Sequence, residues 1–175
     1  MKLCTRIGDL TSRIRSRMFL SLLLVLAGMP VAAGPTAPPM PSTFNTTIGD
    51  ALLCLDALDP AYFYQYLQTW FGAPYQHSGG GWWFRTPSNA KLWNVRITSI
   101  IVSDNTANLR FIAAETDVST DKLAQAIHDA AGLVYQPGNP GKWPLLVSNT
   151  GSTIAWEQDK SKIYCAKNRL LFNPQ

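Results

Sequence analysis

Apolar and polar residues alternate from Gly80 to Glu115, and the alternation predicts three consecutive strands. They run over residues 81–86 (GWWFRT), 92–102 and 109–115, separated by the turn formers Pro87-Ser88-Asn89 and Ser103-Asp104-Asn105. In the middle strand Trp93, Val95, Ile97 and Ile101 fall at period two, with Arg96 and Thr98 on the other face. That pattern is expected of a sheet with one face in the core.

Upstream the period is helical. A first helix is predicted to start at Thr47, its hydroxyl capping the chain and Asp50 completing an acidic capping box. Ala51, Leu55 and Leu58 follow at helical spacing, with Cys54 beside them. A second helix opens on Asp59 as N-cap and Pro60 at the first helical position, where a missing N–H costs nothing. Leu58 and Phe63 have staple spacing, and Phe63, Tyr66, Leu67, Trp70 and Phe71 form its apolar stripe up to Gly72. After the strands, Ser119 opens a third helix that turns Leu123, Ala126, Ile127 and Ala130 inward and stops at Gly132.

Residues 136–143 (QPGNPGKW) read as a Pro/Gly loop, and residues 144–148 as a short edge strand. A hairpin follows, with Ile154 and Trp156 sharing one face and Ile163 and Cys165 one face of the partner strand. Runs of strands without strict β–α alternation predict an α+β fold. Its expected layout is two N-terminal helices, a three-stranded antiparallel meander, one helix and a C-terminal β-hairpin, with the helices packed on one face of the sheet.

The N-terminus changes the compartment. Lys2, Arg6, Arg13, Arg15 and Arg17 precede an apolar run of eleven residues, and Val31-Ala32-Ala33 supplies small residues for cleavage. Eleven residues rise only about 16 Å as a helix, against a hydrocarbon core of about 30 Å. Residues 1–33 therefore read as a signal peptide, 34–43 as a Pro-rich tether and 44–172 as a single globular domain. The expected location is periplasmic or secreted, with no membrane attachment after cleavage.

Cleavage also changes the charge. Residues 1–33 hold five of the fifteen Lys and Arg but only one of the eleven Asp and Glu, so ten of each remain. The alkaline pI belongs to the precursor and gives no support to nucleic-acid binding. Cys4 leaves with the leader, so Cys54 and Cys165 have only each other as partners, and an oxidising compartment would bond them.

Catalytic sets are sparse. His77, in the expected loop 75–79, and His128 are the only histidines, and no Gly-x-Ser-x-Gly elbow accompanies them. No metal spacing occurs, and the run Ser78-Gly79-Gly80-Gly81 precedes a strand instead of the helix a phosphate loop needs. The residues thus indicate no catalytic site, no metal and no cofactor, although carboxylates that meet only in space stay open.

All six tryptophans follow the leader, and Trp82 and Trp83 are consecutive. Neighbours in a strand point to opposite faces, so one layer cannot bury both. One of them, with Tyr75, His77 and Trp143, marks the candidate binding surface. The leading expectation is a non-enzymatic domain binding a protein in its own compartment, such as an inhibitor or immunity-type protein toward an exported enzyme. A glycan-binding protein using the exposed indoles and a small hydrolase are the alternatives.

Overall fold

The computed structural model describes residues 39–138, 145–157 and 160–169. The expected leader, the first half of the expected tether (34–38), Trp143 and residues 170–172 lie outside them. The fold combines short helices with a sheet that is antiparallel at every pairing. Five π-helical residues, Asn45–Gly49, run into one turn of α1 (Asp50–Leu52), and α2 (Pro60–Phe71) follows. The strands are β1 (Gln76–Ser78), β2 (Gly81–Arg85), β3 (Lys91–Leu92), β4 (Val95–Ser103) and β5 (Leu109–Thr116). After α3 (Thr120–Ala131) come β6 (Tyr135–Pro137), β7 (Leu145–Ser148), β8 (Thr153–Glu157) and β9 (Lys160–Asn168). The strand order is β1-β2-β4-β5-β9-β8-β7-β6, with β3 paired to β4.

Cross-strand register assigns the two faces. Phe84, Ile100, Ala114, Ile163 and Ile154 form one row, and Trp82, Val102, Ile112 and Cys165 the next. These side chains share one core with Leu52, Phe63, Leu67, Leu123 and Ile127 of the helices. Helix α2 packs on β2 and β4, α1 on β5 and β9, and α3 on β8 and β9. Tyr64 of α2 meets Trp82 and Phe84 edge-on, with ring centroids 5.6 and 5.5 Å apart.

Asp59 caps α2 through its side chain, accepting from the amides of Ala61 and Tyr62. Gly132 ends α3 in the left-handed conformation. Cys54 and Cys165 are disulfide-bonded, joining the turn after α1 to the middle of the sheet.

Several local expectations are corrected. The first helix does not start at a Thr47 cap: its N-terminal position is Phe44, with no side-chain cap, and it stops at Leu52, leaving Leu55 exposed. Trp70 and Ala130 face solvent instead of the core. The long middle strand is broken at Trp93 and Asn94, whose φ values of 52° and 60° make a two-residue hairpin between Leu92 and Val95. A bulge between Ile97 and Ser99 then shifts the alternation. Ile97 stays inward, but Ile100 and Val102 join it there while Ile101 turns to the opposite face.

His77 belongs to strand β1, not a loop, and residues 135–137 form edge strand β6. Strand β7, expected at an edge, is paired on both sides.

Candidate functional site

Trp82 and Trp83 point to opposite faces of β2, and each meets a different half of the expected binding surface. On the helix side, His77 lies opposite Trp82 in register and stacks on its indole, with ring centroids 3.6 Å apart. His77 Nε2 lies 2.5 Å from Asp104 Oδ2. The carboxylate is almost buried, and its Oδ1 accepts from the amides of Thr106 and Ala107 and from the Thr106 hydroxyl. The His77 contact and the Thr106 hydroxyl hold the Asp104 carboxyl down at about 2 despite its burial.

A concavity of about 300 Å³ lies alongside, bounded by Tyr64, Gln65, Trp82, Asp104 and Asn105. Both carboxylate oxygens of Asp104 are committed, and no hydroxyl or thiol is bonded to His77 among the described residues. The pair ties the β1–β2 hairpin to the β4–β5 turn. Arg169 closes the same end of the sheet by donating to the carbonyls of Asp104 and Asn105.

On the other face, strand and turn residues alone enclose a second concavity of about 280 Å³. Ile101 and Ala113 are its buried floor, and Trp83, Phe111, Tyr164 and Leu109 its walls. Gly81 makes the floor accessible to these walls: a Cβ there would stand 2.9 Å from Ile101 Cγ2 and 3.2 Å from Phe111 Cζ. The turn at Ser78 and Gly79 forms one rim and Lys162 another.

Tyr75 joins this face, its amide donating to the Trp83 carbonyl while Arg85 lies over its ring at 5.1 Å. Burial, and next the charge of Glu115, push the Tyr75 phenol above its ordinary pKa. Lys162 sits over the Trp83 ring at 5.3 Å and pairs with Glu115 at 3.3 Å. Glu115 also accepts from the Ser99 hydroxyl at 2.6 Å.

The structure thus brings Tyr75 and Trp83 together and places His77 and Trp82 elsewhere. Sequence reading missed Asp104, assigned to a turn, and the outer-face set of Ile101, Phe111, Ala113 and Tyr164. Asp104 followed by Thr106 was a visible turn signal, but nothing local tied it to His77. Among the described residues no group of His, Cys, Asp and Glu is placed to hold a metal ion. No described helix is long and apolar enough to cross a membrane. Comparison with protein-family models, with curated proteins and with solved structures finds no match.

Proposed function

We propose that this chain is an exported, disulfide-locked binding domain that takes a protein partner on the outer face of its sheet, in an inhibitor or immunity-type role toward an exported enzyme. The observation that carries the reading is the apolar concavity over Ile101 and Ala113. An aromatic-walled hollow on a sheet face, rimmed by polar and charged groups, is what a partner's anchoring side chain needs. The disulfide and the leader motivate export.

The sugar-binding alternative has less support. Stacking needs an open ring face, yet cations already occupy one face of both Trp83 and Tyr75, and His77 covers one face of Trp82. A hydrolase reading would rest on His77 and Asp104, whose hydrogen bond ties hairpin to turn.

The test is site-specific photo-crosslinking inside the producing cell's export compartment. A photoreactive residue at Tyr75 or Leu109, both exposed on the outer side, should yield one common protein adduct. The same residue at Gln125 on α3 should not. Affinity for the purified partner should then fall at least tenfold with Trp83→Ala. Equal adducts from Gln125, or a partner indifferent to Trp83→Ala, would refute the assignment.

A further inference from the structure

The near-neutral charge expected after leader removal conceals a strong internal segregation. Strands β2, β4, β5, β8 and β9 carry Arg85, Arg96, Arg110, Lys160, Lys162 and Lys167 against two carboxylates, Glu115 and Glu157. The acids Asp50, Asp56, Asp59, Asp117, Asp121 and Asp129 lie instead in the helices or the segments leading into them, with Asp117 reaching Arg96 at 3.6 Å. Register places Arg85, Lys160 and Lys162 on the same side as Trp83, Ile101 and Tyr164. Glu115 on that side is already committed to Lys162 and Ser99, and Glu157 stands opposite Lys160 in register, on a strand far from Arg85. Arg85 is exposed and lies against the Tyr75 ring, with no carboxylate in ion-pair range among the described residues.

Taking the outer face as the docking surface, as argued above, we infer that its occupant is an acidic protein segment. One large apolar side chain of that segment fills the hollow over Ile101 and Ala113, and a neighbouring carboxylate meets the Arg85 guanidinium. Arg85 follows Trp83 by two strand positions on the same face, a separation of roughly 7 Å. An extended partner chain would match that span with an apolar residue and an Asp or Glu two positions apart. Arg85 suits the role because a planar guanidinium binds a carboxylate through two parallel hydrogen bonds while its own face stays on an aromatic ring. The surrounding cations speed encounter with an acidic surface and disfavour a basic one.

Phage-displayed random twelve-residue peptides, panned on the oxidised chain, are the probe. Enriched peptides should pair Phe, Trp, Leu or Met with Asp or Glu two positions away. Their affinity should drop at least tenfold with Trp83→Ala, and Arg85→Glu should shift the preference at the second position to Lys or Arg. Enrichment without an acidic bias would overturn this inference and leave the docking reading intact, because the crosslinks above do not depend on charge. Absence of enrichment, or peptides unaffected by Trp83→Ala, would overturn it too. So would binding of single-stranded dT15 that Trp83→Ala abolishes, marking a nucleic-acid platform. A dimer in light scattering that Trp83→Ala dissociates would make a second copy of the chain the occupant.

Discussion

Asp104 accepts four hydrogen bonds on two oxygens, and that crowding ties its ionisation to folding. Its carboxyl drops from 3.8 to about 2, first through His77 and then through Thr106. A depressed carboxyl stabilises the fold above its unfolded pKa, and the contribution disappears as pH falls through the folded value. The shift corresponds to at most about 2–3 kcal/mol, since each pKa unit is worth about 1.4 kcal/mol and solvent screening lowers that. Asp104→Ala should therefore cost about 2–3 kcal/mol in urea unfolding at pH 7, the upper end reflecting donors left unpaired. The gap from wild type should narrow between pH 4 and pH 2. A gap that stays constant across that window would show that the charge on Asp104 contributes nothing.

At the scale of elements, the N-terminal helical segment is too short to hold itself and depends on three ties to the sheet. Ser152 and Thr150 donate their hydroxyls to the carbonyls of Leu52 and Leu53, at 2.7 and 2.6 Å, filling acceptors the helix end leaves open. The third tie is the Cys54–Cys165 bond, across 111 positions of sequence. A loop of that length is worth up to about 4–5 kcal/mol in chain-entropy models. The double variant Cys54→Ser/Cys165→Ala should lose about 2–4 kcal/mol, with amide protection over residues 48–53 collapsing before that of β4 and β5. Uniform loss of protection would mean the segment and sheet unfold as one unit.

These elements also show what a sequence discloses. Asp59, Pro60 and Phe63 announce α2 because cap, first turn and staple are neighbours in the chain. The opposite placement of Trp82 and Trp83 follows from strand geometry alone. The two-residue turn at Trp93-Asn94 was hidden because φ > 0 at a tryptophan violates turn propensity; its indole lies close to Gly49, an ordinary tertiary contact. The bulge at Thr98, whose hydroxyl bonds the Glu115 carbonyl, reverses every later residue of β4 and puts Ile101 in the outer hollow. Such features arise from contacts far apart in sequence, as does the pairing of His77 with Asp104.

If residues 1–33 are removed on export, as proposed, charge organises the whole molecule differently before and after. The full chain carries a formal charge of +4 and a pI near 9.1. Removal of residues 1–33 takes five cations and one anion and leaves equal numbers of each, so the processed protein should focus near neutrality. Isoelectric focusing of the exported form, with mass spectrometry of its N-terminus, should find a chain beginning at Gly34 with no titratable thiol. A species focusing near pH 9 would mean that the leader is retained. Zero net charge would also remove long-range attraction between whole molecules, leaving the cations of the sheet as a local patch. Association through the sheet should then respond to salt as a patch does: raising ionic strength from 0.05 to 0.5 M shortens the screening length to less than half. The association rate with an acidic partner should fall several-fold over that range, while dissociation, governed by the apolar hollow, changes little. Stopped-flow kinetics separate the two, and a salt effect confined to dissociation would place the decisive charges inside the contact instead of around it.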